Sequence, residues 1–180
     1  MEQLSSPRKN KPSSLIIDLD QTLVDSSIAK HPRSKRDWHG VYELLPSFKL
    51  ISGAKQLLDH SCGYSIAVVT NAPHSYAERL LNHFELKFDI IVGWHQTPFH
   101  KPHPAPIQYA LQLLNANPKD SWGIGDHSND IKAYRAAGIP FVVGVTGVSD
   151  DKIELRKSKP DECVQDLLEI VEWLQDFATH

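Results

Sequence analysis

Leu15-Ile16-Ile17-Asp18-Leu19-Asp20-Gln21-Thr22 joins a short apolar run to two carboxylates set two residues apart. An apolar run bounded in this way reads as a buried parallel strand, and open α/β sheets keep their chemistry at the carboxyl ends of such strands. There, one carboxylate can attack a substrate while the other moves protons. The same pair on a solvated turn would be inert, so the choice between the two rests on the remainder of the chain.

Three further stretches come after it in order. Residues 64–71 form a second apolar run that ends in the hydroxyl of Thr70 and the amide of Asn71. Lys101 lies in the Pro-rich turn His100-Lys101-Pro102-His103-Pro104, ahead of an amphipathic helix. Gly123-Ile124-Gly125-Asp126-His127-Ser128-Asn129-Asp130 is a short strand that delivers acidic residues into a tight turn and helix. Each stretch falls at a strand end or helix start, so one sheet can bring all these groups to a common edge.

The ordered series resembles the haloacid dehalogenase superfamily of phosphatases and phosphotransferases over residues 15–147. Asp18, Asp20 and Thr22 match its first motif, Asp-x-Asp-x-Thr, and Thr70 matches the second. Lys101 matches the third, and Asp126 with Asp130 the fourth, Gly-Asp-x-x-x-Asp. Within the superfamily, Lys101-Pro102-His103-Pro104 followed by Ile107 and Ala110-Leu111 is most similar to the phosphoglycolate-phosphatase-like branch.

The rest of the chain sets the frame. Its 180 residues suit a single domain with a sizeable core. With 22 acidic and 19 basic side chains, the net charge of -3 forces neither a nucleic-acid nor a membrane reading. The apolar runs fall well short of the roughly 18 residues of a membrane span. Residues 1–14 lack a signal-peptide core, so a cytoplasmic compartment is expected. Cys62, beside a glycine turn, and Cys163, at an expected helix start, imply no disulfide framework and are expected as buried or incidental thiols.

Residues 1–13 read as a frayed tail and 14–180 as one catalytic domain. Strands are expected at residues 64–70, at 88–93, up to Asp126 and at 141–145, in addition to the first run. Helices are expected from Ala54 to about Cys62-Gly63, from Ser75 to Phe84, and around the stripe Ile107, Ala110, Leu111 and Leu114. Two more are expected from Asn129 to Ala137, with Gly138 as its stop, and from Val164 to Phe177. Ser75-Tyr76-Ala77-Glu78 fits a capping box at the start of the second helix. Alternating strand and helix predicts an α/β fold, a doubly wound and mainly parallel sheet with right-handed crossovers. Residues 26–51 are too long for a turn and too short for a large lid, and are expected as a small cap inserted after the first motif.

The resemblance implies a Rossmann-like core, Mg2+ as cofactor and an aspartyl-phosphate mechanism. Asp18 would attack phosphorus, and Asp20 would protonate the leaving alcohol and later deprotonate water. Asp18, Asp126 and the backbone carbonyl of Asp20 would hold the metal through oxygen alone. Thr70 and the Asn71 amide would bind phosphate oxygens, and Lys101 would screen the charge of nucleophile and phosphoryl group. Asp130 would orient Lys101 or metal-bound water, with Asn129 as helper, although Asn also serves as a plain helix cap.

Two features stand outside the motifs. Lys30, His31, Arg33, Lys35 and Arg36 form a basic run in the inserted segment, followed by Trp38, His39 and Tyr42. A solvated face is the default reading; alternatively Arg33, Lys35 or Arg36 reaches a second anionic group, or the aromatics and cations bind a nucleotide or nucleic-acid end. His95, His100, His103 and His127 suggest zinc, but no zinc-ligand spacing accompanies them, and they are expected at the site's mouth or, for His103, as a helix cap. The expected activity is Mg2+-dependent hydrolysis of a phosphomonoester, a small molecule rather than nucleic acid. A phosphotransferase or mutase, a nucleic-acid-end phosphatase and a binding module using the basic segment are the alternatives. No surface stripe identifies an oligomer.

Overall fold

The computed structural model describes residues 10–59 and 63–177. Most of the tail expected over residues 1–13 and the Cys62 thiol lie outside the described residues; the helix expected to run from Ala54 to about Cys62-Gly63 stops earlier, at Leu57. A six-stranded parallel sheet forms the centre, in the order β5-β4-β1-β6-β7-β8. Its strands are β1 (Ser14–Ile17), β4 (Ser65–Val69), β5 (Ile90–Val92), β6 (Ser121–Gly125), β7 (Phe141–Val145) and β8 (Glu162–Val164). A small antiparallel pair joins β2 (Val24–Asp25) to β3 (Lys49–Leu50).

The apolar runs build this sheet because alternate side chains fall on opposite faces and both faces are covered. Leu15 and Ile17 of β1, Ile66 and Val68 of β4, and Phe141, Val143 and Val145 of β7 belong to one core. The helices α3 (Ala54–Leu57), α4 (His74–His83) and α8 (Leu168–Asp176) contribute to that core through Leu57, Leu80 and Leu174, among others. Ile16, Ala67, Val69 and Val142 face the other core, with α5 (Ala105–Leu113), α6 (Ser128–Ala136) and α7 (Lys152–Lys157). The expected doubly wound sheet is therefore present.

The topology decides where the site lies. From β1 the chain moves outward through β4 and β5, then returns to β6 on the other side of β1 and continues through β7 and β8. Ile17 registers with Val68 on one side and Ile124 on the other, so the residues after the three strands emerge together at the carboxyl edge. This reversal of strand order is the place where open α/β sheets form crevices.

Several local expectations are corrected. Helix α4 begins at His74 behind Pro73, with no side-chain cap, so the Ser75–Glu78 capping box does not form. Pro73 locks an extended backbone, φ -58° and ψ 144°, two residues before the expected cap. Val164 belongs to β8 rather than to the last helix, which starts at Leu168. Cys163 consequently sits exposed on a strand and not at a helix start. Residues 26–51 hold two short helices, α1 (Lys30–Ser34) and α2 (Trp38–Leu44), between β2 and β3. Among the described residues no helix is long and apolar enough to cross a membrane.

Candidate active site

Asp18 follows β1 directly, and its amide donates to the Ile124 carbonyl at 2.9 Å, pinning it beside β6. Thr70 follows β4 and Asp126 follows β6. Lys101, on the loop after β5, extends a buried side chain between them. Its ammonium donates to Asp18 Oδ1 at 2.6 Å and to the Val69 carbonyl at 2.7 Å, and pairs with Asp130 Oδ1 at 2.6 Å. All three ammonium protons are thus committed, which is what an ammonium buried away from water requires.

The Asn71 side chain holds this lysine from behind. Its Nδ2 donates to the Lys101 carbonyl at 3.0 Å, while its Oδ1 accepts from the Lys101 amide at 3.1 Å. The carboxamide thus engages backbone through its oxygen and one of its two Nδ2 protons, and the residue also lines the cavity. Thr70 Oγ1 accepts from the Ala72 amide at 3.0 Å, which leaves its own proton to donate to a ligand in the cavity it lines.

Asp18, Asp126 and Asp130 place carboxylate oxygens within 4.8 Å of one another, all three residues buried. Thr22 donates to Asp126 Oδ1 at 3.1 Å and lies 3.4 Å from Asp18 Oδ2, tying the pair together. Burial first, then the charges of Asp18 and Asp130, push the Asp126 carboxyl up to about 9. Burial and Asp130 likewise raise Asp18, against the opposing pull of Lys101. Burial alone would lower Lys101, but Asp130 and Asp18 outweigh it and hold the ammonium charged. One lysine does not balance three carboxylates, and an all-oxygen, over-charged cluster fits a hard divalent cation. Among the described residues no histidine joins such a cluster.

Asp20 belongs to a different network. Its Oδ1 accepts from Tyr76 Oη at 2.7 Å and, more closely, from Ser26 Oγ and Arg33 Nη1. Arg33 also donates to Ser26 Oγ at 2.9 Å and Tyr76 Oη at 3.3 Å. Burial opposes the Arg33 charge, and Asp20 more than restores it. Burial and then the Asp20 charge raise the Tyr76 hydroxyl, so it stays a donor. The guanidinium considered for a second anionic group on the substrate is therefore paired with Asp20. Neither Tyr76 nor Ser26 is among the candidate site residues of the sequence: the structure puts Tyr76 on the buried face of α4 with Ala77, Leu80 and Leu81, and nothing local in the sequence points to its hydroxyl's partner.

These groups line one cavity of about 520 Å³, with Asp18, Asp20, Thr70, Lys101, Asp126 and Asp130 in its wall. Asn71, Arg33, Arg36, Asn129, His95 and His127 line it too, whereas Lys35 is exposed and absent from the lining. His127, not Asn129, caps α6: its Nδ1 accepts from the Asn129 amide, and Asp130 Oδ2 accepts from the His127 amide. His103 Nδ1 accepts from the Ala105 amide just before α5, but the N-cap position itself is Pro104, which makes no side-chain cap bond, so His103 is not the cap expected.

The model of the haloacid dehalogenase-like hydrolases matches residues 29–144. The chain belongs to the haloacid dehalogenase-like hydrolase family. A phosphoglycolate phosphatase of Pasteurella multocida is 36% identical over 115 residues, 63% of this chain and 51% of that protein. Pyrophosphatase PpaX of Bacillus cereus is 28% identical over 161 residues, 88% of this chain and 73% of its own. The crystal structure of a predicted phosphoglycolate phosphatase from Haemophilus somnus superposes with a TM-score of 0.78 at 26% identity, covering 91% of this chain and 98% of that one. A hydrolase of the superfamily from Ehrlichia chaffeensis, at 22% identity and a TM-score of 0.71 over 94% and 98% of the two chains, shares the fold. The chain spans about half the length of the first curated relatives it matches.

Proposed function

We propose that the chain is a Mg2+-dependent hydrolase of small phosphomonoesters that works through an aspartyl-phosphate on Asp18. The observation that carries this reading is the Lys101 ammonium, bonded to both Asp18 and Asp130 at the carboxyl edge of the sheet beside Asp126. It opposes the rise that burial and Asp130 impose on the Asp18 carboxyl, and it orients that buried group beside the cavity, as a nucleophile requires. The relatives named phosphoglycolate phosphatase and pyrophosphatase act on phosphorylated small molecules, in keeping with this assignment.

In the first step an Asp18 oxygen bonds to phosphorus as the ester P–O bond breaks, and Asp20 gives a proton to the departing alcohol. The Asp20 bonds to Tyr76, Ser26 and Arg33 all fall on Oδ1, so Oδ2 is the oxygen that carries the transferred proton. In the second step water attacks phosphorus, Asp20 takes its proton, and the Asp18–phosphorus bond breaks to release phosphate. Thr70 donates to a phosphoryl oxygen, and the positive charge of Lys101, its protons held by Asp18, Asp130 and the Val69 carbonyl, screens the negative charge that develops there. Asp18, Asp126 and the Asp20 carbonyl would hold Mg2+, with Asp130 beside them, and the ion would neutralise charge between nucleophile and phosphate. Residues 26–51 act as a small cap on a domain formed by residues 14–180.

The test is inorganic phosphate release from a panel of sugar phosphates, nucleotides and phosphoglycolate, with Mg2+ or with EDTA, by wild type and Asp18→Asn. Release that needs Mg2+ and falls by about 1,000-fold or more in the variant is expected. Release that survives Asp18→Asn would remove the nucleophile from this scheme.

A further inference from the structure

The cavity is much larger than phosphoryl transfer alone requires. At about 520 Å³ it holds the equivalent of roughly 17 waters at about 30 Å³ each. A phosphoryl group and a two-carbon acid would leave most of that space empty. The remaining wall includes two tryptophans, Trp38 and Trp94, with the exposed residue Arg36 at its side.

Neither indole is fully buried, and both are held in place. Trp94 stacks on His100 with ring centres 3.3 Å apart and planes 16° apart. Burial and then His95 lower the His100 imidazole, so the stack is between neutral rings at physiological pH. Trp38 leans on the buried Tyr76 ring, centres 5.4 Å apart, and so shares a support with the Asp20 network. Between α1 and α2, Arg36 adopts φ 57°, a left-handed conformation rarely used by a long side chain. That turn brings Arg33, Arg36 and Trp38 to the cavity from one short stretch. Arg33 is taken by Asp20, whereas Arg36 has no ion pair among the described residues.

We infer that this wall is a subsite for a planar nitrogenous ring, and that the substrate is a nucleoside monophosphate. Indole faces stack on any base, and stacking tolerates base identity because every base has a π-face. The Arg36 guanidinium supplies donors to acceptor atoms on the ring edge. The ring-bearing alcohol is the leaving group of the proposed hydrolysis at Asp18, so this inference rests on that reading.

The experiment compares kcat/KM for adenosine monophosphate and the matching ribose phosphate, which differ only in the base, in wild type, Trp38→Leu and Trp94→Leu with Mg2+. A preference for the nucleotide of about 10-fold or more is expected, with each substitution reducing that ratio several-fold. Because both substrates are read in the same protein, the ratio is insensitive to partial unfolding of a variant. Equal hydrolysis of the two, abolished by Asp18→Asn, would leave the phosphatase standing and overturn the base subsite. A nucleotide preference that survives both substitutions would also overturn it, since the ring would then be seated elsewhere. If neither compound is hydrolysed, a nucleoside monophosphate is not the substrate and the inference is overturned, while the phosphatase reading is decided separately by the wider panel and Asp18→Asn.

Discussion

The hydroxyl of Tyr76, on the helix after β4, donates to Oδ1 of Asp20 at 2.7 Å. A residue of the hydrophobic core thereby fixes the rotamer of the proposed acid, and Ser26 and Arg33 bond to the same oxygen. Tyr76→Phe keeps the buried ring and removes only this donor. A hydrogen bond to a charged group is worth about 1.5 to 3 kcal/mol, so kcat is expected to fall roughly 10-fold with little change in KM. Steady-state kinetics on the best substrate of the panel check this; a change confined to KM would mean the hydroxyl acts on substrate binding instead.

The acidic cluster makes a prediction about pH. In the metal-free protein Asp126 titrates at about 9, against 3.8 for an ordinary aspartate. The folded state therefore binds this proton more tightly than the unfolded state does, and its contribution to stability is complete below the lower value and is lost as pH rises towards the upper one. A cation competes with the same proton, so Mg2+ affinity should rise up to about tenfold per pH unit below about 9 and level off above it. Calorimetric Mg2+ titrations and thermal unfolding in EDTA across about pH 6 to 9 test both halves. Affinity independent of pH would show that Asp126 is already ionised in the free protein.

Gly125 shows how closely the fold approaches the site. A Cβ built on it would lie 2.5 Å from the Asp130 Cβ and 2.6 Å from its Oδ2, a distance real Cβ atoms do not adopt. Gly125→Ala must shift Asp130 and, with it, the partner of Lys101. Overpacking of this size typically costs about 1 to 3 kcal/mol, so the variant should fold with a lowered urea midpoint and lose activity disproportionately. Full activity in a destabilised variant would show that Asp130 has no part in holding Lys101.

What could be read from sequence was the chemistry carried by strand ends. Asp18, Thr70 and Asp126 each come directly after an apolar run, so their shared edge results from parallel pairing alone. Contacts between distant segments carried no such signal. The pairing of Arg33 with Asp20 depends on how residues 26–51 fold back, and the engagement of the Asn71 carboxamide depends on a loop thirty residues later. Strand β8 was hidden because its three residues lie just before a helical stripe. Helix α7 was missed because it buries only Leu155, too little for a periodic pattern. At Ser75 a proline two residues earlier overrode a sound capping signal.

The Asn71 clamp yields a graded pair of variants. Asn71→Ala removes both bonds to the Lys101 backbone, whereas Asn71→Asp keeps an acceptor for the Lys101 amide and loses the donor to its carbonyl. The lysine side chain is anchored at its tip by Asp18, Asp130 and the Val69 carbonyl, so neither change should release the ammonium altogether. Loosening its base allows the tip to drift, and displacements of about 1 Å in a reacting constellation cost up to about 100-fold. Phosphate-release rates should therefore fall in the order wild type, Asn71→Asp, Asn71→Ala, with the alanine variant down about 10- to 100-fold. If the aspartate variant is the worse of the two, the new charge beside Lys101 outweighs the retained bond and the carboxamide serves chiefly to keep this position neutral.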